Sequence, residues 1–149
     1  MAIEIPGSMK EEHEALHEEL KRLTAIPGGV GGAAQEVARV LHPHFEKEEK
    51  YALPPLGLLA PLSRGELKKE MKDVLALTDR LKKDLKEMIK EHAAVGAALE
   101  KLSRAAKLES RPEALEFARK LALHAKTEEE VSYPASILVG ELVRLKLGA

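Results

Sequence analysis

From Leu67 to Leu102 the chain places Leu67, Met71, Val74, Thr78, Leu81, Leu85, Met88, His92, Val95, Leu99 and Leu102 three or four residues apart without a slip. That period puts all of them on one side of an α-helix, and strand alternation cannot produce it. The same spacing runs through Met9, His13, Leu16, Leu20 and Leu23. It returns in Val37, Leu41, His44, Glu48 and Tyr51, and in Phe117, Leu121, His124, Glu128 and Val131. Four such stripes predict an all-α fold in which each helix turns its stripe inward.

The breaks between stripes are the Gly- and Pro-containing stretches "AIPGGVGG", "PPLGLLAP" and "ESRP". Ser8 with Glu11, and Ser63 with Glu66, have capping-box spacing at the starts of the first and third helices. Ser110, Pro112 and Glu113 suit the start of the fourth. The third helix is therefore expected over roughly residues 65–107, about 64 Å at the usual rise. Its first half should overhang the bundle or break near Thr78. "SYP" is expected to bend or break the fourth helix before a short apolar C-terminal helix, roughly residues 135–147. That helix either covers the overhang or, with it, offers a homodimer surface.

The stripes also repeat. Residues 9–23, "MKEEHEALHEELKRL", align with 88–102, "MIKEHAAVGAALEKL". Residues 38–54, "ARVLHPHFEKEEKYALP", align with 118–134, "ARKLALHAKTEEEVSYP". The alignment pairs His13 with His92, His44 with His124, Glu48 with Glu128, and Glu49 with Glu129. Two helical pairs related by an approximate two-fold predict an antiparallel, up-down-up-down four-helix bundle, one domain over residues 1–149.

Six titratable residues occupy core positions of these stripes: His13, His44, Glu48, His92, His124 and Glu128. A buried, unpartnered carboxylate costs several kcal/mol. Two of them among four imidazoles need a cation, which neutralises the carboxylates and accepts the imidazole lone pairs, or a complete hydrogen-bond network. His-x-x-x-Glu puts both side chains on one helical face. Two such helices across a two-fold offer two carboxylates able to bridge two metals, each also held by imidazoles. Mixed His and carboxylate donors suit iron or manganese, with zinc an option. His17 shares a face with His13 and reads as a further ligand or as a residue supporting one. Glu49 and Glu129 lie one step off the stripe and read as solvated or supporting. His42 reads as a surface histidine, and Pro43 should kink the second helix just before His44.

Composition removes other readings. With 24 basic and 25 acidic residues interspersed, the chain has no electrostatic footprint for nucleic acid or an anionic membrane. The absence of cysteine excludes disulfides, thiolate metal sites and cysteine nucleophiles. The N-terminal stretch lacks the regions of a signal peptide, and no apolar run is long enough to span a bilayer, so a cytoplasmic location is expected.

"EHEALHEEL", "HFEKEEKYALPPL", "EHAAVGAAL" and "HAKTEEEVSYP", in this order, resemble the four helices of the hemerythrin family, and more closely its HHE cation-binding branch. The resemblance implies a non-haem di-iron centre. It implies His13 and His92 as single ligands, the pairs His44/Glu48 and His124/Glu128, and an oxo, hydroxo or water bridge beside Glu48 and Glu128. Oxygen-carrying hemerythrins place a His-x-x-x-His pair on the third helix and the last carboxylate five residues after its histidine. Here the histidine pair is His13/His17 on helix one, Gly96 stands at the third-helix position, and Glu129 keeps the five-residue spacing.

The reading that follows is a metal protein that binds O2, NO or peroxide by inner-sphere electron transfer, for storage, sensing or iron handling. If His17 ligates, the open coordination position falls beside Gly96. A di-iron oxidase, peroxidase or ferroxidase with a separate redox partner is the enzymatic alternative. A metal-stapled helical module that binds a partner through its C-terminal helix is the structural one.

Overall fold

In a computed structural model the chain is described over residues 2–148, and its regular structure there is helical throughout. The α-helices are α1 (Gly7–Thr24), α2 (Gly29–Lys47), α3 (Leu59–Ser63), α4 (Val74–Leu108), α5 (Pro112–Thr127) and α6 (Tyr133–Leu147). α1 packs against α2 and α5, and α4 packs against the same two, so these four enclose a core. Among the described residues no helix is long and apolar enough to cross a membrane.

The expected stripes are buried almost throughout. Leu16, Leu20, Leu23, Val37, Leu41, Val95, Leu99, Leu102, Phe117 and Leu121 form one apolar cluster. A second forms around Tyr51, Leu53, Leu56, Leu81, Met88 and Tyr133. His92 lies between Met88 and Val95 on α4, and His44 between Leu41 and Tyr51 on the second helix. The polar residues thus form a layer between two apolar ones.

Both α2 and α5 pass into a π-helical turn, Glu48–Ala52 and Glu128–Ser132. In the first, the Leu53 N–H donates to the Glu48 carbonyl at 2.9 Å, and in the second the Tyr133 N–H donates to the Glu128 carbonyl. Each turn holds one more residue than an α-turn and so rotates the following side chains by about a hundred degrees. In the second turn this rotation leaves Val131, expected in the core, 58 % exposed while Ser132 and Tyr133 are buried, whereas in the first the equivalent Tyr51 stays buried. It also lets α5 run on into α6 without the break expected at "SYP". Pro134 follows a turn in which the i→i+4 pattern is already interrupted, so its missing N–H costs little there.

The expected helix starts need two corrections. α1 begins at Gly7 after Pro6, with Ser8 inside the first turn and no side-chain cap. Ser63 closes α3, where its hydroxyl donates to the Ala60 carbonyl, and Glu66 pairs with Arg64. Leu67 is exposed, and the long helix starts only at Val74, after a 3-10 turn at Lys69–Asp73. Its 35 residues span about 52 Å. Pro112 does open α5, whereas Ser110 takes a left-handed conformation (φ 55°) that closes α4. Beside it Glu109 caps a different helix, accepting from the Gly29 and Val30 N–H groups at 2.6 and 3.0 Å. Pro43 sits within α2 without ending it.

α4 runs unbroken through Thr78, and α6 covers its overhang. Leu58, Met71, Val74, Val139 and Val143 form the cluster there. The crossing is close because Gly140 has no side chain: a Cβ on it would lie 2.1 Å from Thr78 Oγ1. Gly140→Ala should therefore destabilise the fold by about 1–3 kcal/mol through overpacking, read as a lower urea midpoint at unchanged slope.

Candidate metal centre

The four helices that carry the polar stripe residues bring them to one place. His13, His44, Glu48, His92 and Glu128 are at most 8 % exposed, and the His124 side chain is 9 % exposed. Each carboxylate divides its two oxygens between two groups of imidazoles. Glu48 Oε1 is 3.8 Å from His13 Nε2, while its Oε2 is 3.5 Å from His44 Nε2. Glu128 Oε2 is 3.7 Å from His13 Nε2 and 3.1 Å from His124 Nε2, while its Oε1 is 3.2 Å from His92 Nε2.

Two donor sets result, His13/Glu48/His124/Glu128 and His44/Glu48/His92/Glu128, with the donor atoms of each within 4.8 Å of one another. Donors about 2.1 Å from a common ion lie at most about 4.2 Å apart, and the imidazole–carboxylate separations of 3.1–3.8 Å fall within that reach. A second sign of fit lies in what the protein leaves unsatisfied. Both His13 ring nitrogens, Glu48 Oε1, His124 Nε2 and Glu128 Oε2 are buried without a hydrogen-bond partner. Buried polar atoms are rarely left so, and these belong to the first donor set.

Carboxylates stand behind three of the four imidazoles. His44 Nδ1 is 2.8 Å from Glu91, His92 Nδ1 is 3.0 Å from Glu129, and His124 Nδ1 contacts Glu12. A carboxylate on the outer ring nitrogen holds the proton there, leaves Nε2 as the donor to metal and fixes the ring plane. Glu12 and Glu91 were missed in the sequence, although the repeat pairs them and each directly precedes a repeat histidine. The His13 ring is instead held by stacking on Phe45, centroids 4.2 Å apart and planes within 6°.

Tyr133 was missed too. Its hydroxyl donates to Glu48 Oε2 at 2.6 Å and lies 3.2 Å from both His44 Nε2 and His92 Nε2. It therefore closes the second donor set, whose polar atoms are all partnered. No periodicity could have found it, because the π turn that delivers it breaks the period.

The remaining expected residues fall elsewhere. His17 lies outside both donor sets, half-buried, with its ring against that of His42 at 4.9 Å. His42 is exposed, as expected. Glu129 supports His92, whereas Glu49 lines a cavity beside His13 without bonding to it. Gly96 lies on a groove between α4 and α5 with Ala93, Ala97 and Ala122, not among the donors.

Electrostatics fit a cation. Burial and then the neighbouring Glu128 push the Glu48 carboxyl up to about 7. Burial opposes the charged form of His124, but Glu128, Glu48 and Glu12 outweigh it and raise its pKa to about 9. His44 and His92 are likewise raised by their carboxylates against the effect of burial. Glu128 is held low, because the neighbouring Glu48 and the imidazoles of His124, His13 and His92 outweigh its burial.

The metal-free cluster therefore holds protons near neutral pH that a cation must displace. Binding should release protons, and affinity should rise with pH up to about 9. Calorimetric titration in buffers of different ionisation enthalpy measures this. Glu91→Gln and Glu129→Gln should each weaken metal binding about 10–100-fold in chelator competition, with little change in helical content.

The family profile of the hemerythrin HHE cation binding domain matches residues 5–136. Neither the curated proteins nor the solved structures compared yield a match. The matched span contains all four bundle helices, both donor sets and Tyr133. The chain belongs to the hemerythrin HHE cation-binding family.

Proposed function

We propose that this chain is a cytoplasmic, non-haem di-iron protein, an antiparallel up-down-up-down bundle that binds O2 or a related small ligand such as NO or peroxide. The observation that carries the reading is the division of the Glu48 and Glu128 oxygens between two sets of imidazole Nε2 atoms. Such an arrangement suits two ions bridged by both carboxylates. In it His13 and His124 would hold one ion, and His44 and His92 the other.

When bound, the iron pair supplies the electrons for inner-sphere binding of the small ligand. The chain's own groups set the conditions. Glu91, Glu129 and Glu12 keep a proton on the outer nitrogens of His44, His92 and His124. The Tyr133 hydroxyl donates its proton to Glu48 Oε2 and so restrains the second donor set. The apolar layers above and below exclude bulk water. His17 is left out of the ligand set, so a nearly symmetric centre replaces the three-plus-two set that its ligation would give.

Protein from iron-fed cells should contain about two iron atoms per chain by this two-ion logic, with absorption bands that appear with O2 and vanish on its removal. Colourless, metal-free and fully stable protein would overturn the metal reading, and continuous consumption of peroxide or Fe(II) would place the chain among oxidases instead. His124→Ala should lower both metal content and melting temperature, since folding and binding are coupled, while His42→Ala should leave equilibrium metal content unchanged.

A further inference from the structure

The approximate two-fold is broken at His13. By the repeat, the partner of the Glu129–His92 contact is Glu49–His13, yet His13 Nδ1 has no partner. Instead, His13 and Glu49 line a cavity of about 260 Å³ between α1 and α2. Its other polar walls are Glu14, His17, Glu18, His42 and Glu46. His13 is 2 % exposed, so a buried imidazole with a free ring nitrogen forms part of an acidic groove.

The matching groove between α4 and α5 is the control that the fold itself provides. There the repeat equivalents of Glu14, His17, Glu18 and His42 are Ala93, Gly96, Ala97 and Ala122, and all four line that groove. At these four equivalent positions the two surfaces thus differ by two imidazoles and two carboxylates. The carboxylates of the α1–α2 groove also lack cationic partners. Many exposed carboxylates of the chain have a cationic partner, as Glu19, Glu36, Glu116 and Glu141 do. Among the described residues Glu14, Glu18, Glu46 and Glu49 have none within ion-pair distance.

We propose that the groove between α1 and α2 captures a divalent cation from solution and is the route by which the buried donor sets are loaded, with His17 and His42 as transfer ligands and His13 as the receiving imidazole. The proposal rests on the metal-centre reading. Unpaired carboxylates raise the local concentration of a divalent cation, and low-dielectric walls focus that field. Paired imidazoles and carboxylates are donors that a partly hydrated first-row ion exchanges readily for water. His13 is the one cluster imidazole without a carboxylate behind its ring, so its outer nitrogen, unlike those of the other three, is free to meet an arriving ion. A neutral gas would gain nothing from this charge, so the groove's chemistry fits the cation rather than O2.

The test follows Co(II) uptake by the metal-free full-length chain through its visible absorption. His17→Gln/His42→Gln should slow uptake about tenfold or more while the final Co-to-protein ratio stays that of the wild type. Glu14→Gln/Glu18→Gln/Glu46→Gln should slow it too and flatten its dependence on ionic strength. Glu100→Gln, in the opposite groove, should change neither. Displacement of Co(II) by Zn(II) in the loaded protein, measured on the same variants, gives the same ordering without requiring a folded metal-free state. Unaltered rates in both groove variants would overturn the loading route and leave the metal centre standing. A lower final ratio in His17→Gln/His42→Gln would also overturn it, by placing one of these histidines in the centre. A wild-type chain that takes up no Co(II) would overturn both readings.

Discussion

Glu48 and Glu128 are buried to 0 and 2 % exposure in the middle of a helical core, and the rest of the structure is arranged around satisfying them. Two carboxylates this close cannot both be ionised in a dry interior without positive charge between or beside them. Four imidazoles supply part of it, and three of those rings are in turn oriented by Glu12, Glu91 and Glu129. The layer is thus a set of nested pairs, carboxylate to imidazole to carboxylate, running from the surface to the centre. Apolar packing above and below keeps water from relieving the tension, which is why a cation is the natural completion.

The two π turns are the local device that makes this geometry possible. Each begins at a buried glutamate of the cluster, Glu48 or Glu128, and each rotates the chain after it by the width of one residue. An uninterrupted α-helix would have turned Val131 inward and Tyr133 away. With the extra residue, Tyr133 reaches Glu48, His44 and His92 together, and α5 continues through the turn into α6, which covers the overhang of α4. One local irregularity therefore serves both the site and the fold, which is where such turns are usually retained.

The repeat and its imperfections carry different information. What the two halves share, His-x-x-x-Glu followed by a π turn and proline, defines the centre. What they do not share separates the two donor sets. Tyr133 has Leu53 as its counterpart, so one set is closed by a phenol and the other is left with unpartnered nitrogens and oxygens. The groove residues diverge in the same sense, acidic and imidazole-bearing beside His13 but Ala- and Gly-lined on the opposite side.

The heptad spacing, read alone, determined that the chain is helical, which faces turn inward and which six titratable residues meet there. Those are consequences of the fixed pitch of the α-helix, so Leu16, Leu41, Leu99 and Leu121 were as legible as His13 and Glu48. Helix starts at Ser8 and Ser63 were misread because a capping pattern of four residues is weaker than the packing of Pro6 and of the segment before Val74. His17 read as a ligand or as a residue supporting one because it shares a face with His13. In the structure it lies one further turn along α1, outside the two donor sets and with its ring against that of His42. Glu12, Glu91 and Tyr133 likewise became visible only when separate helices met, because a contact between side chains dozens of residues apart has no period to betray it. Composition and pitch determined the cradle, and the π turns and helix crossings decided what closes each half of it.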